Sequence, residues 1–466
     1  MAKTELAVVG AGPAGLAAAL AAARAGVHVT LVDEYPTPGG QYLKGASHPD
    51  AAPPVFATER RGRALLRELA AMDVDLRSET LVWGIEIEIE GLRLALHGPD
   101  GSGWLEPQAV VVATGARELV IPFPGWTLPG VMTLGAAQIL TKEYGVLPGQ
   151  RVLLAGSGPL LLPTAKELAR RGAEVVAALE ATHLSQWSRH APAVWGNWER
   201  LREGWGYLRA MQRARVPYRF GRTVVRALGG EQLEAAVVAR LDRQGRPIPG
   251  SEDTVAVDTL CLGFGLLPNV ELTQLAGCAH RFDPTRGGWV PTLDERLETS
   301  IAGLFVAGET TGVDGAGAAM LEGRLAGLAA AHKLGRVSEG ELTRQLAGAT
   351  NTRRRLRRFG TLLNCLFAPR PGLDAITTDD TLICRCEEVT AGQIRAAVRQ
   401  GARELDAVKT WTRAGQGPCQ GRTCSPLLAR LIARETGRPV ADAGTLHVRP
   451  PLKPVPLGAL TLEEQP

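Results

Sequence analysis

Residues 6–15 read LAVVGAGPAG, in which a short apolar run leads into a glycine-rich turn. An alanine- and leucine-rich helix pattern follows, and a second strand pattern over residues 27–32 ends at Asp33. Strand, glycine-rich turn, helix, strand and acid, in this order, are typical of a dinucleotide-binding unit. The sequence therefore predicts an α/β fold that begins with a nucleotide site.

The three glycines of the turn have separate tasks in such a site. Gly10 allows the tight turn, Gly12 lets the backbone approach the pyrophosphate, and Gly15 lets the helix pack closely on the strand. The N-terminus of the helix supplies the positive end of a dipole for the phosphates. Asp33 is expected to accept hydrogen bonds from a ribose, with Glu34 as the alternative one position later.

Two segments far downstream bear on which dinucleotide this site holds. The apolar residues 109–112 run into Ala113-Thr114-Gly115, and a later segment contains Gly308-Glu309. Both resemble motifs of the two-dinucleotide flavoprotein family that includes thioredoxin reductase, in which an acid contacts the flavin ribityl chain. The resemblance implies FAD, although Glu309 is one methylene longer than the aspartate usual at that position. The residues expected to bind the cofactor are Gly10, Gly12, Pro13, Ala14, Gly15, Asp33, Glu34, Gly40, Gln41, Val82, Ala113, Thr114, Gly115, Gly308 and Glu309.

A second unit of the same kind occupies residues 151–180. A strand pattern leads into Gly156-Ser157-Gly158, and a later strand pattern ends at Glu180. Its position predicts a nicotinamide domain, but the third glycine is replaced by Leu161, whose side chain is expected to crowd the helix–strand crossing. We expect the domain to keep its fold, while the pattern leaves NAD binding open and Glu180 disfavours NADP.

Four of the seven cysteines stand together in the last part of the sequence, as Cys384-Arg-Cys386 and as Cys419 with Cys424. Thiolates grouped in this way can surround an iron–sulfur cluster. Four thiolates also satisfy a structural zinc ion, but zinc sites more often use CxxC pairs. A flavin in the same chain could exchange electrons with an iron–sulfur cluster but not with zinc. We therefore expect the four cysteines to bind an iron–sulfur cluster.

Other features of the sequence exclude several function classes. A net charge of +4, with basic residues dispersed except at 353–358, gives no field for a nucleic-acid partner. The run at 353–358 is expected to be a solvated helix face or linker, with a docking site for an acidic partner as the alternative. No cysteine pair stands near residues 39–41 or 129–138, where disulfide reductases place theirs, and no Ser/His/Asp constellation is evident, so catalytic residues stay unassigned.

Cysteine usage indicates a reducing compartment, the cytoplasm. No apolar run approaches the ~18 residues that span a bilayer.

Several stretches carry a wider resemblance. Residues 384–390 and 417–424 resemble the bacterioferritin-associated-ferredoxin type of domain, which carries a [2Fe–2S] cluster. Together with residues 38–41, 121–126, 156–163 and 367–372, they make nearly the whole chain similar to the flavoprotein α subunit of heteromeric amine dehydrogenases. This group includes opine oxidase, hydrogen cyanide synthase, D-hydroxyproline dehydrogenase, dye-linked L-proline dehydrogenase and, in part, heterotetrameric sarcosine oxidase.

The resemblance implies an architecture of nested Rossmann-like domains, with a discontinuous FAD domain, followed by a small, mainly α, ferredoxin-like domain. The expected division is a FAD domain at 1–145, a degraded NAD-type domain at 146–250, a FAD-domain return at 251–335, a linker at 336–378, the cluster domain at 379–440 and a proline-rich extended tail at 441–466. The tail is expected either as a free end or as a strap across a partner subunit.

In function, the resemblance implies a subunit that transfers electrons. A partner β subunit with its own flavin would oxidise a small amine or amino acid of the proline, hydroxyproline, opine or glycine type. The resemblance also allows FMN at an interface with that partner, a small ferredoxin-like γ subunit, and contact with the inner membrane through partners. Two alternatives stay open: a self-contained NADH:acceptor oxidoreductase, and a structural or regulatory subunit that binds a redox-inactive nucleotide such as ATP.

Overall fold

A computed structural model describes residues 2–46, 53–54, 56–89, 91–185 and 198–461. The strands are β1 (Ala2–Val9), β2 (Val29–Val32), β3 (Asp75–Arg77), β4 (Leu81–Glu88), β5 (Gly91–Gly98), β6 (Gly101–Val112), β7 (Ala116–Glu118), β8 (Val131–Thr133), β9 (Arg151–Gly156), β10 (Glu174–Glu180), β11 (Tyr218–Phe220), β12 (Arg222–Leu228), β13 (Ala235–Arg240), β14 (Asp253–Ala256), β15 (Thr259–Gly263), β16 (Leu266–Pro268), β17 (His280–Asp283), β18 (Gly288–Pro291), β19 (Leu304–Val306), β20 (Leu382–Cys384) and β21 (Val389–Thr390). The α-helices are α1 (Pro13–Arg24), α2 (Ala57–Leu69), α3 (Leu134–Lys142), α4 (Leu161–Arg170), α5 (Trp198–Arg213), α6 (Glu271–Leu275), α7 (Ala316–Lys333), α8 (Glu339–Phe367), α9 (Ala391–Arg399), α10 (Leu405–Thr412) and α11 (Ser425–Thr436).

The first compact unit comprises Met1–Arg117, Leu266–Asn364 and Val448–Pro466. Its sheet has seven strands in the order β3-β2-β1-β6-β5-β4, with β19 paired to β6. Strands β3, β2, β1, β6 and β19 run parallel, whereas β4, β5 and β6 form an antiparallel meander. The carboxyl ends of the parallel strands therefore meet at one edge, which is where nucleotides bind in open sheets of this kind.

Helix α1 is buried along most of its length because it packs closely against α7. A Cβ at Gly323 would lie 2.0 Å from the carbonyl oxygen of Ala14, and one at Gly327 would lie 2.3 Å from that of Ala18. Only small residues allow two helices to approach this closely. This packing accounts for the alanine-rich composition of α1, which is a helix of the folded chain.

The second compact unit comprises Glu118–Gly265 and Cys365–His447. Its parallel five-stranded sheet has the order β11-β10-β9-β15-β8, and an antiparallel sheet of β12, β13 and β14 follows. Leu161 begins α4, is fully buried, and packs in one core with Val152, Leu154 and Leu168. Leu161, which was expected to crowd the crossing of helix and strand, is instead part of the core, and the domain keeps its fold.

The segment after residue 379 is mainly helical, as expected. Helix α9 begins at a capping box in which Thr390 accepts from the backbone N–H of Gln393 and the Gln393 side chain accepts from that of Thr390. Cys424 is the N-cap of α11, and Gly437 ends that helix in the left-handed conformation. Helix α10, between the two cysteine pairs, was not predicted.

The units differ in their bounds from the expected division. Strands β8 and β15 pair with each other, and β15 pairs with β9, in the second sheet, so this unit begins at Glu118 and extends to Gly265, beyond the expected 146–250. The expected linker contains the 29-residue helix α8. The tail after His447 belongs to the first unit, where the backbone N–H of Leu452 donates to the carbonyl oxygen of Trp83 at 2.8 Å. Its last five residues lie outside the described part of the chain.

Within that described part, no helix combines the length and the apolar composition that a membrane span requires.

Candidate functional site

The loop between β1 and α1 has the close contacts that its glycines were expected to allow. Gly10 has φ +100°, and a Cβ there would lie 2.5 Å from the carbonyl oxygen of Ala113. A Cβ at Gly15 would lie only 1.7 Å from the carbonyl oxygen of Gly10. At Gly12, in contrast, the nearest atom to a Cβ would be Gly40 Cα at 3.9 Å. A Cβ at Gly12 would thus make only an ordinary contact with Gly40, and the close approach of a pyrophosphate to Gly12 stays a prediction.

The acid at the end of β2 lies beside this loop. Asp33 is 7% exposed, and its carboxylate accepts from the backbone N–H groups of Ala11 and Tyr35. Burial raises the pKa of Asp33 above its ordinary value. The side chain of Glu34 is 37% exposed and pairs with Lys453. Of the two alternatives for a ribose acceptor, Asp33 is thus the one held against the glycine loop.

The remaining residues predicted for the first site surround the same loop. The backbone N–H of Gly39 donates to the carbonyl oxygen of Ala11 at 2.8 Å, which places Gly40 against Gly12. Gln41, next along the chain, is exposed. Val82 is buried in β4, and the backbone N–H of Thr80, the residue before that strand, donates to the carbonyl oxygen of Asp33 at 2.9 Å. Pro13 and Ala14 are the first two residues of α1.

The two downstream segments come together at this site, although 196 positions separate their threonines. Thr114 Oγ1 lies 3.2 Å from Thr310 Oγ1, and the backbone N–H of Gly115 donates to Thr310 Oγ1 at 3.0 Å. A Cβ at Gly308 would lie 2.6 Å from the Cβ of Ala14, so this segment also contacts the start of α1. Asn269, which was not predicted, fixes the turn by donating to the carbonyl oxygen of Thr114 at 2.9 Å.

Glu309 lies in a strongly perturbed electrostatic environment. Burial, together with the nearby carboxylate of Asp314, raises the pKa of Glu309 to about 7. Burial likewise raises the pKa of Asp314 to about 6, against the opposing effect of Arg286. The side chain of Asp314 is 4% exposed and its Oδ2 lies 3.3 Å from Arg286 Nη2. Paired perturbed carboxyl groups of this kind are common at functional sites.

The arginine run expected to be solvated takes part in a buried network. Glu322 on α7 has a side chain that is 2% exposed, and its Oε1 accepts from Arg353 Nε at 3.2 Å and from Arg357 Nη2 at 2.8 Å. Its Oε2 accepts from the Thr311 hydroxyl at 2.8 Å. Burial would raise the pKa of Glu322, but Arg357 and Arg353 lower it below its ordinary value. Sequence patterning did not reveal this pairing, because the carboxylate lies 31 positions from Arg353.

Phe367 contacts the second glycine loop, and Tyr218 contacts the acid that belongs to it. The Ser157 hydroxyl donates to the backbone carbonyl of Phe367 at 2.7 Å, and a Cβ at Gly158 would meet the Cβ of Phe367 at 4.0 Å. Glu180 is fully buried and accepts from the backbone N–H of Gly158 and from the Tyr218 hydroxyl, both at 3.1 Å. The chain's own residues thus cover this loop and engage its acid.

The four C-terminal cysteines converge. The Cys424 thiol hydrogen-bonds to Cys384 and Cys419, which lowers the pKa of both of these thiols, and Cys386 hydrogen-bonds to Cys419. Backbone N–H groups of Gly415, Glu387 and Cys386 point at Cys384. Such donors around sulfur are the usual setting of iron–sulfur clusters.

Glycines form the loop that wraps these cysteines. A Cβ at Gly417 would fall 2.2 Å from the Cβ of Cys386, and one at Gly415 would lie 3.9 Å from Cys424 Sγ. Any larger residue at position 417 would displace Cys386. The composition of this loop therefore follows from the approach of its backbone to the cysteines.

The described residues contain no group of three or more His, Cys, Asp or Glu side chains placed to hold a metal ion.

The cysteine module is anchored within its own unit by Trp126, which sequence reasoning did not single out. The indole N–H of Trp126 donates to the carbonyl oxygen of Leu382 at 2.7 Å, two residues before Cys384. The guanidinium of Arg385 lies 5.6 Å from the ring centroid of Trp126. The Thr377 hydroxyl donates to the carbonyl oxygen of Pro122 at 2.7 Å. No local sequence pattern marks these contacts.

Comparison with known proteins agrees with this arrangement. The model of the pyridine nucleotide-disulphide oxidoreductase family matches residues 4–335, and that of the sarcosine oxidase A3 domain matches residues 378–463. The opine oxidase A subunit of Agrobacterium tumefaciens (strain Ach5) is 34% identical, over 98% of this chain and 91% of its own length. The HcnB subunit of hydrogen cyanide synthase from Pseudomonas aeruginosa is 33% identical, over 97% of both chains.

A solved structure of L-proline dehydrogenase from P. horikoshii has a TM-score of 0.72 and 23% identity, over 98% of this chain and 79% of that one, and it agrees in fold. The chain belongs to the pyridine nucleotide-disulphide oxidoreductase family and, within it, to the oxidoreductase subunits related to HcnB and to the corresponding subunit of opine oxidase.

Proposed function

We propose that this chain is the electron-transfer subunit of a heteromeric dehydrogenase, with FAD in its first dinucleotide site and a [2Fe–2S] cluster in its cysteine module. A partner subunit with its own flavin oxidises a small amine or amino acid of the proline, hydroxyproline, opine or glycine type. The names of the relatives as subunits of opine oxidase and hydrogen cyanide synthase support a partner. FMN at the subunit interface and a small ferredoxin-like third subunit belong to the same proposal.

The observation that carries the proposal is the hydrogen bond across the second glycine loop. The first loop is bounded by Gly40, by Asp33 and by the segment around Thr310. The second is covered by the backbone of Phe367, to which Ser157 donates. A nicotinamide nucleotide would have to displace that segment to reach the helix N-terminus. Electrons are therefore expected from a partner subunit and not from NADH.

The residues present fit both cofactors. In the first site, the N-terminus of α1 would hold the pyrophosphate, Asp33 the ribose and the carboxyl of Glu309 the ribityl chain. In the module, Cys384, Cys386, Cys419 and Cys424 would hold the two irons, with backbone N–H groups directed at the sulfur of Cys384. When bound, FAD supplies one- and two-electron redox chemistry and the cluster supplies one-electron chemistry.

The test begins with the purified full chain. We expect FAD to be released on denaturation, together with two irons and two acid-labile sulfides per chain. Cys278→Ser, at a buried cysteine outside the module, should keep the iron, whereas Cys384→Ser should lose it. Zinc in place of iron, or a chain that releases ATP and no flavin, would refute the proposal.

A titration with NADH separates the proposal from the self-contained NADH:acceptor oxidoreductase. The flavin absorbance of the chain should not bleach with NADH, and amine turnover should require co-expression of the partner subunit. Rapid bleaching by stoichiometric NADH would favour the alternative.

A further inference from the structure

The chain after the cysteine module returns to the first unit and packs against the meander of its sheet. We call residues 448–461 the strap. Leu452 is 8% exposed and shares a core with Val82 and Leu96, while its backbone N–H donates to the carbonyl oxygen of Trp83 at 2.8 Å. The strap therefore lies against the edge strand β4, immediately beside Val82.

The next residue of the strap reaches the other side of the same site. Lys453 Nζ pairs with the carboxylate of Glu34, and the two side chains are each 37% exposed. Glu34 directly follows Asp33, which accepts from the backbone N–H of Ala11 in the glycine loop. Two consecutive strap residues thus contact β4 and the segment after β2.

Three elements of the first unit therefore meet around Asp33. In the glycine loop, the backbone N–H of Ala11 donates to the Asp33 carboxylate. The backbone N–H of Thr80, just before β4, donates to the carbonyl oxygen of Asp33. In the strap, Lys453 pairs with Glu34, the residue after Asp33. In open sheets of this type, the adenosine half of a dinucleotide lies at the carboxyl end of the second strand, against its acid. The strap is placed at that end of the site.

We propose that the strap closes the adenosine side of the first dinucleotide site, and that Lys453 is a positioning residue that holds the Glu34 carboxylate away from Asp33. The ligand class is any nucleotide with an ADP moiety. The inference rests on the proposed function only in placing a nucleotide at Gly10–Gly15, and it does not require a flavin.

Lys453 has an electrostatic reason to act in this way. Burial is the main cause of the raised pKa of Asp33, and the negative charge of Glu34 adds to it, because the two carboxylates repel each other. Lys44 lowers the pKa of Asp33, and Lys453, which pairs with Glu34, would further reduce the repulsion between the two carboxylates. Lys453→Glu would place a third carboxylate beside Glu34 and Asp33. Glu34→Lys combined with Lys453→Glu would restore an ion pair.

The first experiment is hydrogen exchange on the full chain with ADP, with FAD and with neither. We expect the amides of residues 448–461 to be protected by both ligands. Unchanged exchange of the strap on binding of ADP would overturn the proposal.

The second experiment measures ADP affinity by calorimetry. Lys453→Glu should weaken ADP binding about fivefold, because an exposed ion pair is replaced by a repulsive contact beside the ligand. Glu34→Lys combined with Lys453→Glu should recover most of the affinity. Lys333→Glu is the matched control, because Lys333 pairs with Glu298 at comparable exposure, 39% and 20%. Equal affinity of Lys453→Glu and the control would also overturn the proposal.

The outcomes separate the strap from the function proposed above. A chain that binds ADP with a protected strap but never retains flavin would support the strap and refute FAD as the cofactor. A chain that retains flavin while its strap exchanges freely would refute the strap alone.

Discussion

Replacement of Glu322 by glutamine should destabilise the chain by about 3 kcal/mol at neutral pH. The side chain of Glu322 is only 2% exposed and neutralises Arg353 and Arg357, whose side chains are 17% and 34% exposed. Removal of one partner of a buried ion pair costs about 3–5 kcal/mol, because a desolvated charge stays behind. The partial exposure of Arg357 lets water solvate part of that charge, which places the expected effect at the low end of the range.

The effect should depend on pH in a defined direction. The arginines hold the pKa of Glu322 below that of the unfolded chain, with burial acting against them. The pair therefore stabilises the fold fully above the unfolded pKa, and this stabilisation is lost as the pH falls through the folded value. The wild type and Glu322→Gln should accordingly converge in stability as the pH is lowered below about 4.

The assay is urea unfolding followed by circular dichroism, at pH 7 and at pH 3. Glu341→Gln is the control, because Glu341 pairs with Arg344 on the surface, with side chains 38% and 77% exposed. Exposed pairs contribute about 0.2–1 kcal/mol. A loss below about 1 kcal/mol for Glu322→Gln at pH 7, or an equal loss for both variants, would refute the burial argument.

Three further predictions concern the cofactor sites. The thermal stability of the cofactor-free chain should fall as the pH rises from 5 to 8, because Glu309, with a pKa of about 7, binds its proton more tightly in the folded chain than in the unfolded chain. Glu309→Gln should make the melting temperature less dependent on pH. Gly15→Ala should lower the melting temperature, because its Cβ would lie 1.7 Å from the Gly10 carbonyl oxygen. Gly12→Ala should keep the melting temperature of the wild type but weaken ADP binding, which calorimetry would detect. Cys424→Ser should reduce the iron content below half of the wild-type value in a metal analysis; unchanged iron would contradict its assignment as a ligand.

Local patterns predicted the elements of the first site. Residues 6–15 and Asp33 form the strand, loop, helix and acid that their order indicated, because each depends on neighbours within the same turn or strand. The capping box at Thr390 and the start of α11 at Cys424 are equally local features. The domain bounds were less predictable, because β8 and β15 join the second sheet through strand pairing between distant segments.

The sequence by itself determined that the chain has two dinucleotide-type units and a group of four cysteines. Only the tertiary structure decided that Phe367 lies on the second glycine loop, because the carbonyl that accepts from Ser157 is 210 positions away along the chain. It also decided that the arginine run is partly buried against Glu322, and that Lys453 reaches Glu34 across 419 positions. The physical reason is that glycine spacing and hydrophobic periodicity encode local backbone geometry. Access to a site and the pairing of its charges depend on which distant segments pack against it.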